Sequence, residues 1–120
     1  VTGGLRRREV MEHVLETGGA DMIGLGRPLC IETDGPNQLL AGTDELGRYE
    51  NSLSLLPKWL MWLTRFNTVR TINSFATQFW FYEQIANIGR TGTVDNNLSV
   101  FSATLAQQKA AGAWVKARNR

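Results

Sequence analysis

An α/β segment of strand, helix and strand, continued by a mainly helical extension, is the fold class that the 120-residue sequence predicts. Three observations carry it. Glycine-rich turns occur at Thr2-Gly3-Gly4 and at Gly24-Leu25-Gly26-Arg27-Pro28, an amphipathic helix separates them, and the residues after Asn51 are aromatic at helical spacing.

The elements follow in order. Val10, Met11, Val14 and Leu15 fall on one face of a helix over Arg7 to Glu16, and Thr17-Gly18-Gly19 ends it, since glycine takes the left-handed conformation of a helix C-cap. Ala20 to Gly24 is a short apolar run that reads as a buried strand carrying Met22 and Ile23. The sixteen residues from Leu5 to Ala20 suffice for a crossover between parallel strands, which needs roughly a dozen. Leu29 to Gly47 reads as a connection, with a turn at Asp34-Gly35-Pro36 and a short helix over Asn37 to Ala41. Beyond Asn51, Leu56, Trp59, Leu60, Leu63 and Phe66 make one helical stripe. Ile72, Phe75, Phe79, Tyr82 and Ala86 make a second. Gly89 to Asn96 is expected to be a loop, and Ser99 is the expected N-cap of a last helix through Phe101, Leu105, Trp114 and Val115. The domains are therefore expected at 1–40 and 41–120.

Composition excludes several classes. The net charge is +2 and the pI about 9.0, with the basic residues grouped at Arg6-Arg7-Arg8 and at Lys116, Arg118 and Arg120, as solvated helix ends rather than a nucleic-acid surface. The most apolar stretch, Leu53 to Leu63, holds Pro57 and Lys58 and falls short of the ~20 residues of a membrane span, so neither nucleic acid nor membrane is an expected partner. A lone cysteine, Cys30, excludes an internal disulfide and a cysteine-rich metal cluster; it reads as a packing residue, no metal site is expected, and the expected location is cytoplasmic. Asn97-Leu98-Ser99 is a chance match to the glycosylation pattern, and Glu9, Glu12 and Glu16 read as solvated helix positions.

The two turns are the candidate site. Glycines let main-chain N–H groups approach an anion, and a following helix N-terminus adds its positive end. Arginines in the first turn of a helix oppose its dipole by ~0.3–1 kcal/mol each when exposed, and a bound dianion reverses that sign. Arg27 adds a donor suited to bidentate contact. Two strand ends, a helix between them and an arginine at the second turn match the phosphate site at the end of a (β/α)8 barrel.

Val1 to Arg6 and Gly18 to Leu29 resemble the C-terminal part of the NADH:flavin oxidoreductases, the old yellow enzyme family. Phe79 to Ile85, with Gly89 and the final helix, is similar to the tail that closes those barrels. The likeness is specific over residues 1–29 and looser from about 41 onward. It implies a TIM-barrel fragment, the last strand-helix units with a C-terminal helical extension, that on its own is mainly α with at most a short strand pair. It also implies FMN as cofactor, its phosphate held by Gly3 and Gly4 on one side and by Gly26 and Arg27 on the other. NAD(P)H and a small-molecule acceptor such as an activated alkene would be the partners of the complete enzyme, a flavoprotein that transfers hydride.

The catalytic His-His or His-Asn pair and the proton-donating tyrosine of that family lie on earlier barrel strands. The single histidine, His13, reads as a surface or half-buried residue in mid-helix, Tyr49 as a loop residue and Tyr82 as packing, so no catalytic residue is expected in the chain. With a strand missing before Thr2 and no initiating methionine, the expectation is a fragment that is not catalytic alone. The alternative from another class is a non-catalytic helical module that self-associates through exposed aromatic helices, Trp59, Trp62, Trp80 and Trp114 being core or contact residues.

Overall fold

The computed structural model describes residues 1–118; Arg120, the last of the C-terminal basic group, lies outside them. The chain is mainly helical. Strand pairing among the described residues is limited to two isolated bridges, parallel between Thr2 and Gly24 and antiparallel between Arg7 and Glu45. The chain divides into two compact units, Val1–Asn51 and a second from Ser52 onward.

In the first unit, α1 spans Arg8–Glu16. Its end is a Schellman motif: the Gly18 N–H donates to Leu15 O and the Gly19 N–H to Val14 O, which satisfies carbonyls the helix leaves open. The expected opposition of three arginines to the helix dipole is corrected here. Arg6 lies before the helix, Arg7 is its N-cap and pairs with Glu9 at 2.8 Å, and Arg8 pairs with Glu12 at 3.3 Å, so carboxylates offset the first turn. α2 spans Gly35–Leu40 and follows a 3-10 turn over Arg27–Cys30. Met11, Leu39 and Leu46 form the core, with Leu5, Ile23 and Leu25 packed against it. Leu46 joins through its backbone, donating to Arg6 O at 3.0 Å, while the Arg8 N–H donates to Asp44 O at 2.8 Å. Residues 44–46 therefore belong with α1, which carries the unit past residue 40.

Ala20 to Gly24 is not the buried strand expected. Ile23 faces the core, but Met22 is 76% exposed, because with a single bridge only one face of this extended segment is covered.

The second unit begins with an irregular approach, bent at Leu55 and Leu56, to Pro57, which is the N-cap of a 3-10 segment over Lys58–Arg65. Leu60 and Leu63 are half-buried, while Trp59 and Trp62 are exposed. The Asn73 side chain anchors the approach, accepting from the Leu55 N–H at 2.8 Å and from Ser54 Oγ at 3.0 Å. α3 spans Asn67–Thr91 and ends at Gly92, so the expected loop from Gly89 starts three residues later. α4 spans Val100–Arg118. Ser99 caps it as the sequence indicates, its Oγ accepting from the Ser102 N–H at 3.0 Å, an interaction worth ~1 kcal/mol.

The buried face of α3 is a second correction. Ile72, Phe75 and Tyr82 of the expected stripe are exposed, and Tyr82 meets Gln78 rather than a core. Ala76, Trp80, Glu83 and Gln84 are buried instead. Polar satisfaction explains the choice of face. Gln84 Nε2 donates to Asp95 O while its Oε1 accepts from the Asp95 N–H, which pins the loop before α4. Glu83 accepts from Arg90 and Gln107 at 2.9 and 3.0 Å, and Trp80 Nε1 donates to Leu98 O at 2.7 Å. Val100 and Ala103 are the buried residues of α4, whereas Phe101, Leu105, Trp114 and Val115 are exposed.

Candidate functional site: paired glycine turns and an arginine pair

The site is built where the first unit joins its two glycine turns. Val1 lies in parallel register beside Met22 and Gly24: its nitrogen donates to Met22 O at 2.6 Å and its carbonyl accepts from the Gly24 N–H at 2.7 Å. A Cβ at Gly24 would collide with the Thr2 side chain, so this approach requires glycine. Both turns leave from this one bridge. Gly3 and Gly4 take φ of 101° and 77°, a region L side chains rarely adopt, and the side where a Cβ would stand is open at Gly3, Gly4 and Gly26. Among the described residues, the N–H groups of Gly4, Gly26 and Arg27 donate to no backbone carbonyl.

Arginines follow both turns. Arg6, two residues after Gly4, is buried at 4% exposure. Its Nη1 donates to Leu5 O at 3.0 Å and its Nη2 to Glu50 Oε1 at 3.1 Å, while its Nε is buried with no partner. Arg27, directly after Gly26, is half-exposed, with Nη1 3.7 Å from the same Glu50 oxygen. Two guanidinium charges thus share one carboxylate oxygen.

The Glu50 segment is held from the other side by Glu32. The Glu32 carboxylate accepts from the Gly47 N–H and from the Tyr49 hydroxyl, each at 2.8 Å. Burial first, and then this hydrogen bond and the nearby negative charge, push the Tyr49 hydroxyl up to about 12. Tyr49 is therefore neutral at ordinary pH and serves as a donor that positions the turn over Tyr49–Asn51.

The bridge brings Gly3, Gly4, Gly26 and Arg27 to the ends of two adjacent extended segments. Arg6 and Glu50 were not singled out as site residues from the sequence. Arg6 sits inside a run of three arginines with no local mark of which one is buried, and Glu50 lies 44 residues away from it. His13 is an exposed helix residue, as expected. Cys30 is half-buried and its thiol is raised by that burial, consistent with packing. An apolar groove of about 320 Å³, lined by Met11, Leu15, Ile23, Leu25, Leu39 and Leu40, opens beside α1; it takes in Leu25 of the second turn but none of Gly3, Gly4, Gly26 and Arg27.

The residue types suit an anionic phosphate group: Arg6 carries an orphaned buried guanidinium nitrogen, Arg27 reaches the same carboxylate oxygen as Arg6, and the glycine turns are open where a Cβ would stand. No helix among the described residues is long and apolar enough to cross a membrane. No family model, curated protein or solved structure matches the chain.

Proposed function

We propose that the first unit is the phosphate end of a flavin site, the C-terminal part of an FMN-dependent NAD(P)H oxidoreductase built on a (β/α)8 barrel. The observation that carries the reading is the parallel bridge from Thr2 to Gly24, which sets two glycine turns side by side, each followed by an arginine. It supports the reading because a barrel's phosphate lies where neighbouring parallel strands end. Gly3, Gly4, Gly26 and Arg27 would hold the phosphate; bound FMN supplies hydride transfer to an activated alkene or related acceptor. The chain's own residues bind and orient the anion, and none of them is assigned to catalysis.

The test is a calorimetric titration of the full chain with FMN, riboflavin and inorganic phosphate. FMN is expected to bind with Kd on the order of 1 mM, phosphate to compete with it, and riboflavin to bind more weakly by tenfold or so, since it lacks the anion. Equal binding of FMN and riboflavin, or binding of neither, overturns the reading.

A separate observation favours a second reading, a non-catalytic helical module that self-associates. In the second unit Trp59, Phe75, Phe101 and Trp114 are 74%, 56%, 68% and 62% exposed. Sedimentation equilibrium over a hundredfold range of concentration, on the order of 1–100 µM, is expected to show a reversible rise in mass under this reading. A constant monomer mass removes it.

A further inference from the structure

The Arg6, Arg27 and Glu50 cluster is not built as an ordinary structural ion pair. A buried pair retained for stability has its donors and acceptors satisfied, because each unmet one carries a desolvation penalty. Here the donor Nε of Arg6 is buried and unmet; Arg8 Nε is unmet too, but Arg8 is 40% exposed in its pair with Glu12, whereas Arg6 is 4% exposed. Charge is unbalanced as well, with two guanidinium groups facing one carboxylate oxygen at 3.1 and 3.7 Å. The carboxylate reaches them from the turn over Tyr49–Asn51, a short element at the end of the unit, whereas both arginines follow glycine turns fixed by the Thr2–Gly24 bridge. The arginines stand behind the bridge, and Glu50 stands on a short turn that the Tyr49–Glu32 hydrogen bond positions.

We propose that Arg6 and Arg27 form one oxyanion-binding pair and that the Glu50 carboxylate occupies it in this state as an internal anion, which a phosphate or phosphomonoester must displace. The proposal rests on the phosphate-site reading and adds to it a further binding residue, Arg6, and a self-blocking device, Glu50. A carboxylate offers two oxygens in a plane, and a phosphate offers three or more at tetrahedral angles, so the incoming group can meet the orphaned Arg6 Nε as well as the donors Glu50 releases. A dianion placed beside Glu50 without displacing it would meet a like charge a few ångströms away. Occupancy by Glu50 and occupancy by ligand are therefore competitive.

The experiment compares three full-length proteins, the unaltered chain, Glu50→Gln and Glu45→Gln, titrated with inorganic phosphate and with FMN against riboflavin. Glu50→Gln keeps an acceptor for Arg6 and removes the competing charge. Glu45→Gln removes the same charge from the same segment, where the Glu45 carboxylate forms its ion pair with Arg48 rather than with Arg6 or Arg27. Glu50→Gln is expected to bind phosphate and FMN about tenfold more tightly than the unaltered chain, with Glu45→Gln unchanged. Equal affinity in Glu50→Gln and the unaltered chain, both preferring FMN to riboflavin, overturns the blocking role and leaves the phosphate-site reading standing. An equal gain in Glu45→Gln also overturns it, by assigning the effect to net charge. Loss of phosphate-dependent binding from every protein overturns both readings together. If Glu50→Gln does not fold, hydrogen exchange on the unaltered chain decides. Saturating phosphate is expected to speed exchange at the Asn51 N–H, which donates to Arg48 O at 3.2 Å, as the turn is released. Unchanged exchange there under saturation overturns displacement.

Discussion

Trp80→Ala is expected to destabilise the second unit by about 3–5 kcal/mol, the range for removing a buried tryptophan. Trp80 is 8% exposed, stands edge-on to Phe81 with ring centroids 5.2 Å apart, and donates from Nε1 to Leu98 O at 2.7 Å. Its removal opens a cavity where α3 meets α4 and leaves the Leu98 carbonyl without that donor. Three neighbouring anchors converge there, since Gln84 holds Asp95, Glu83 holds Gln107, and Ser99 starts α4 immediately after Leu98. Trp80→Phe separates the two contributions: it keeps most of the apolar body and loses the hydrogen bond, and should cost nearer 1–2 kcal/mol. Thermal melts followed by far-ultraviolet circular dichroism read both values. An alanine variant melting within a degree or two of the unaltered chain would mean that α3 and α4 are held by something other than this contact.

Much of the first unit was legible in the sequence, and the reason is local. The helix over α1 follows from its apolar spacing and from Gly18-Gly19, and the first turn follows from glycine alone, because the positive φ at Gly3 and Gly4 is a property of single residues. The Ser99 cap is legible for the same reason. Illegible features depend on partners distant in sequence. Hydrophobic spacing pointed to Ile72, Phe75 and Tyr82 as the inward face of α3, yet the face that is buried carries Glu83 and Gln84, whose partners Gln107 and Asp95 supply what no apolar index registers. Arg6 and Glu50 are hidden in the same way: one of three adjacent arginines is buried because residues 44–50 fold back over it, and that return is fixed by Leu46 and by Glu32 acting on Gly47 and Tyr49.

Leu46 is accordingly the residue on which both the fold and the site of the first unit depend, and Leu46→Ala is expected to cost about 2–5 kcal/mol. It is 1% exposed, and with Met11 and Leu39 it makes up the core cluster of a unit of only 51 residues. A unit of that size has little stability to spare, since marginal domains hold roughly 0.05–0.15 kcal/mol per residue. The loss should therefore unfold the first unit while the helices of the second remain, giving a melt in which part of the helical signal disappears early. The site should go with it. Leu46→Ala keeps the backbone N–H that donates to Arg6 O but removes the side chain beneath it, so as the unit unfolds Glu50 no longer covers Arg6, the bridge that aligns the two glycine turns loses its underlying core, and discrimination between FMN and riboflavin disappears. Leu46→Met, close in volume, should cost less than about 1.5 kcal/mol and keep that discrimination. If limited proteolysis leaves residues 1–51 as protected in Leu46→Ala as in the unaltered chain, the Met11, Leu39 and Leu46 cluster is not what holds the glycine turns in register.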